Sequence, residues 1–93
     1  MRKAISITPE ESENVERLFL KYNSYMSMLE YFAESTAMKE SEIYDKKWNE
    51  TTEIWIELDK AKRAIEKKYK PQGNWAGYEF DFDNNKVIFY ENT

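Results

Sequence analysis

Apolar positions recur at helical steps along most of the chain and at strand steps near its end. Val15, Leu18, Phe19, Tyr22, Tyr25, Met26, Leu29, Phe32 and Ala33 follow one another mostly three or four positions apart. That spacing predicts an amphipathic helix with one broad core-facing stripe. Its start is written in Thr8-Pro9-Glu10-Glu11: Thr8 caps, Pro9 suits the first helical position, and Glu11 closes a capping box back onto Thr8. A second stripe runs through Tyr44, Trp48, Thr51, Trp55, Leu58, Ile65 and Tyr69, with Ala61 beside it. It is interrupted at Lys62, whose aliphatic stem can still cover apolar surface. The periodicity fades from Ser35 to Glu42, where Ser35, Thr36 and Ser41 offer caps, and a turn there makes an antiparallel helical hairpin of about 9–34 and 42–70. No Gly, Pro or Asn marks the break and the stripes stay nearly in phase, so a single continuous helix paired as a coiled coil is the competing reading.

Lys70-Pro71 stops the second helix, and Pro71-Gln72-Gly73-Asn74 is a breaker loop. Tyr78, Phe80 and Phe82 then alternate with Glu79, Asp81 and Asp83, the signature of a half-buried strand. Asn84-Asn85 suits the two left-handed positions of a type I′ turn. A hairpin of about 76–83 and 86–91 follows, pairing Asp83 with Lys86 and Phe80 with Phe89. One face becomes an aromatic slab of Tyr78, Phe80, Phe82, Val87 and Phe89. Two strands alone are marginal in water, so the slab must lie on the helices. Ala4-Ile5-Ser6-Ile7 is a candidate third strand. The fold class expected is α+β, mainly α, in one domain spanning 1–93.

Composition narrows the chemistry more than the architecture. The 93 residues include no His and no Cys, which removes His-based triads and general bases, thiolate nucleophiles, disulfides and ordinary zinc sites. The two glycines, Gly73 and Gly77, build no phosphate-cradling loop. Asp81-x-Asp83-x-Asn85 begins like a calcium loop, but Lys86 stands where glycine is required and Asn92 where a bidentate glutamate belongs. Glu50, Glu53 and Glu57 share a helix face without the Glu-x-x-His pairs of a di-iron bundle. No catalytic residue, cofactor or metal is expected. No apolar run approaches the ~20 residues of a membrane span, and Met1 to Ile7 lacks a signal-peptide core; the expected location is the cytoplasm.

The net charge is −4. Lys60, Lys62, Arg63, Lys67, Lys68 and Lys70 cluster at the end of the second helix, where cations complement the macrodipole. An acidic chain without a nucleic-acid motif is not expected to bind nucleic acid.

Ile7-Thr8-Pro9-Glu10-Glu11, the helix end Lys67-Lys68-Tyr69-Lys70-Pro71, and Asn74-Trp75-Ala76-Gly77-Tyr78-Glu79-Phe80-Asp81-Phe82 together resemble a family of small bacterial accessory proteins. These are encoded beside radical-SAM enzymes that modify ribosomally made peptides, as in CXXX-repeat peptide systems and the small subunits of peptide spliceases. The resemblance spans nearly the whole chain but carries no catalytic signature. It implies a non-catalytic protein that binds the larger enzyme, its precursor peptide, or both. From the residues themselves, Leu20, Met28 and Tyr31 lie off the first stripe, Ile54 and Ile56 lie off the second, and Trp75 sits at the junction of helices and hairpin. The residues expected to meet a partner are Trp75, Tyr78, Tyr31, Met28, Leu20 and Tyr90. A small homo-oligomer, including a homodimer, or a phage-type inhibitor acting through an acidic surface is the alternative.

Overall fold

The capping box forms as its spelling requires. In the computed structural model, which describes residues 1–34 and 42–91, the Thr8 N–H donates to Glu11 Oε1 at 2.9 Å and the Glu11 N–H donates to Thr8 Oγ1 at 3.1 Å. Helix α1 (Pro9–Ala33) starts there, and helix α2 covers Glu42–Tyr69. The turn expected over 35–41, with its caps at Ser35, Thr36 and Ser41, lies outside the described residues.

The helices are antiparallel, not one rod. Lys68 Nζ lies 3.0 Å from Glu11 Oε2, and the Tyr69 hydroxyl donates to Glu11 Oε1. In one continuous helix, Glu11 and Lys68 would stand about 85 Å apart at 1.5 Å per residue. The contact also fixes a charge. Burial opposes the Glu11 carboxylate, but hydrogen bonds from the Tyr69 hydroxyl, the Thr8 N–H and the Lys68 ammonium lower its pKa to about 2.

Because that value lies below the ordinary unfolded one near 4.3, the linked stability is complete above the unfolded pKa. It is lost as pH falls through the folded pKa, between about pH 5 and pH 2. Glu11→Gln keeps the capping box but loses the charge that strengthens the hydrogen bonds from Tyr69 and Lys68, and should therefore cost about 1 kcal/mol near neutral pH. Urea denaturation at several pH values should show the gap to the parent closing across that acid window. A gap independent of pH would mean the Glu11 charge is not what matters.

Three strands form one antiparallel sheet: β1 (Arg2–Ser6), β2 (Trp75–Asp81) and β3 (Lys86–Glu91), in the order β1-β3-β2. The candidate third strand is real. It pairs with β3 from Arg2 opposite Tyr90 to Ser6 opposite Lys86, and the Ile7 N–H continues the pairing to the Asn85 carbonyl at 2.9 Å.

The hairpin register differs from the expected one by two residues. Asp81, not Asp83, faces Lys86, and Tyr78, not Phe80, faces Phe89. A type I′ turn needs two left-handed residues, but among the described non-glycine residues only Asn85 has positive φ (52°). The Asp81 carboxylate instead accepts from Asn84, from its N–H at 3.3 Å and its side-chain amide at 2.8 Å. This Asx-type closure ends the strand early and leaves Phe82 to Asn85 as the loop. A two-residue slip preserves side-chain parity, so the aromatic face survives with new partners. Phe82 still joins it, stacked on Phe80 with ring centroids 5.7 Å apart.

The chain divides into two compact units, 1–16 with 61–93 and 17–60, and each helix contributes to both. In the sheet-bearing unit, Ile7, Val15, Ile65, Val87 and Phe89 are buried. Lys62 places its ammonium 6.0 Å from the centre of the Tyr78 ring, a cation–π contact with one member of the slab. The helical unit buries Leu18, Leu29, Thr51, Ile54 and Leu58.

Candidate functional site: an apolar groove and two exposed tryptophans

The second stripe does not all face inward. Within the helical unit, α2 turns Thr51, Ile54 and Leu58 into the core and leaves Trp48 and Trp55 outside it, 54% and 49% exposed. Ile54, expected off the core face, is 6% exposed. On α1, Phe19 and Ala33, expected in the core stripe, are exposed, while Ser12 is buried in the other unit. The stripes that pack are thus narrower than the stripes of apolar residues, and on α2 the surplus of the expected stripe is the tryptophan pair.

The two tryptophans line a groove of about 260 Å³ between the helices of this unit, with Tyr22, Met26 and Leu29 on α1 facing Trp48, Thr51, Thr52 and Trp55 on α2. Its two threonines do not make it polar. Thr51 Oγ1 donates to the Lys47 carbonyl at 2.7 Å and Thr52 Oγ1 to the Trp48 carbonyl at 3.0 Å, so both hydroxyls are satisfied by their own helix. Tyr44 stacks on Trp48 with centroids 6.4 Å apart, extending the aromatic surface along α2. Lys47 sets its ammonium over the Tyr25 ring at 5.3 Å and bonds Glu50 at 3.2 Å.

The six residues expected to meet a partner are divided between the units. Leu20, Met28 and Tyr31 are exposed and share one face of α1 by helical spacing, away from the groove residues. Trp75 and Tyr78 are half-buried and belong to the slab, with ring centroids 6.1 and 5.8 Å from Phe89. A β-bulge between Trp75 and Gly77 turns Trp75 onto that face, where its indole N–H donates to the Pro71 carbonyl at 3.1 Å. Tyr90 lies on the opposite sheet face.

Tyr90 has a structural duty there. A Cβ built on Gly77 would sit 2.5 Å from the Tyr90 hydroxyl oxygen and 2.8 Å from Cζ; the ring occupies the space a side chain would need. Gly77→Val should displace Tyr90 and cost about 1 kcal/mol. In a Tyr90→Ala background the same change should cost less, so a double-mutant cycle by thermal denaturation should return a coupling of about 0.5–1 kcal/mol. Zero coupling would separate the two positions.

Among the described residues, no three carboxylates gather where a metal ion could be held, and no helix is long and apolar enough to cross a membrane. Compared with family models, curated proteins and solved structures, the chain finds no match. The groove combines the buried edge of the helical core, Leu29 and Thr51, with side chains that the core leaves exposed, Trp48 and Trp55. Trp48 and Trp55 were not singled out from the sequence, because their spacing is also that of a core stripe.

Proposed function

We propose that this chain is a non-catalytic accessory protein that binds a larger modifying enzyme, of the radical-SAM type, or that enzyme's precursor peptide. The observation that carries this reading is the pair of half-exposed tryptophans beside an apolar groove. Tryptophan dominates the energetics of interfaces, and here two tryptophans flank one apolar groove. The resemblance of the segments around Thr8, Lys68 and Trp75 to accessory proteins of peptide-modifying systems supplies the class of partner.

The test is co-purification with the product of a neighbouring radical-SAM gene and with its precursor peptide, followed by size exclusion at micromolar concentration. Co-elution with either is the expected result. Separate elution from both would remove the reading.

A further inference from the structure

Two packed helices form only one layer, and the groove between them can seat a third helix. Its space of about 260 Å³ is apolar and open to solvent along the helices, which suits apolar anchors projecting from a helix better than an enclosed ligand. The charges around it decide what kind of helix. Among charged residues three or four positions from a groove residue on the same helix, Glu30, Asp45 and Asp59 are acidic and Lys47 is basic; Asp59 is engaged within the chain, so Glu30 and Asp45 carry the acidic character of the rim. The Lys47 ammonium is already placed over Tyr25 and bonded to Glu50. Indole faces also attract cations.

We infer that the groove formed by Tyr22, Met26, Trp48 and Trp55 seats an amphipathic helical segment of a partner protein, one carrying Lys or Arg beside its apolar anchors. A second copy of this chain is disfavoured, because facing grooves would bring acidic rim against acidic rim. The inference rests on the binding-module reading above and adds the site and the chemistry of the occupant.

The probe is a designed Leu/Lys amphipathic helical peptide, compared with a Leu/Glu peptide of the same apolar pattern, by calorimetric titration of the full chain. The Leu/Lys peptide should bind one per chain and about ten-fold or more tighter than Leu/Glu. Trp48→Ala, Trp55→Ala and the charge reversal Glu30→Lys with Asp45→Lys should each weaken it about ten-fold or more. Ile43→Ser, exposed on α2 outside the groove, should not. Circular dichroism on each variant confirms that the helices are intact.

Equal affinity for the two peptides, or undiminished binding by both tryptophan variants, overturns the inference. So does a dimer in sedimentation equilibrium that Trp55→Ala dissolves. A complex with the neighbouring enzyme that is indifferent to the groove variants overturns the site while leaving the accessory role standing. Peptide binding as expected, with no enzyme or precursor complex, sustains the groove and removes that role.

Discussion

Phe89→Ala should be among the most damaging single truncations in the sheet-bearing unit, at ~3–5 kcal/mol. Phe89 has no exposed surface and sits in β3, the central strand, opposite Lys3 on one side and Tyr78 on the other. Its ring meets Trp75 edge-on and lies tilted against Tyr78, so truncation removes the contact about which the slab is organised. The cavity cannot be closed from one side, because the strand is held in register by both neighbours. For a small domain whose whole stability is about 5–15 kcal/mol, that loss is a large share. Phe80→Ala should cost less, about 1–2 kcal/mol, because Phe80 is half-buried on the edge strand and faces Val87. Trp75 is the only tryptophan of this unit, so its fluorescence in a Trp48→Phe, Trp55→Phe background reports this unit's urea denaturation. A Phe89→Ala protein as stable as the parent would mean that the sheet is not seated through this face.

Local chemistry was legible wherever a few adjacent residues decide the outcome. Thr8 to Glu11 spelled the capping box, Pro71 and Gly73 the exit from α2, and the alternation of Tyr78 to Asp83 the aromatic face. The hairpin register was not, because Asn84-Asn85 offers a two-residue turn while Asp81 offers a side-chain closure of a longer loop. Only the backbone geometry chooses between them. The consequence was contained, since a slip of two leaves every side chain on its face. On α1, Leu20, Met28 and Tyr31 were recognisable as surplus by their phase. On α2, phase misled: Trp48 and Trp55 share their steps with Thr51 and Leu58, so hydrophobicity alone reads them as core. A competing series, Thr51, Ile54, Leu58, Ala61 and Ile65, runs at three- and four-residue steps without the interruption that Lys62 makes in the first. Continuity was the signal, and the greater apolar area of tryptophan outweighed it.

That exchange of roles makes a sharp expectation for two adjacent residues. Ile54→Ala should cost ~2–4 kcal/mol, because Ile54 is 6% exposed beside Leu58 in the helical core and its truncation leaves a cavity. Trp55→Ala removes more atoms but should cost less, about 1–2 kcal/mol, because half of that side chain's surface is already in water and alanine is the better helix former. Helical ellipticity followed through thermal denaturation checks both. The ordering by size, with Trp55→Ala the worse, would place the tryptophan stripe in the core and close the groove. The ordering by burial, with Ile54→Ala the worse, leaves Trp55 free to spend its apolar area on a partner, which is what the groove requires.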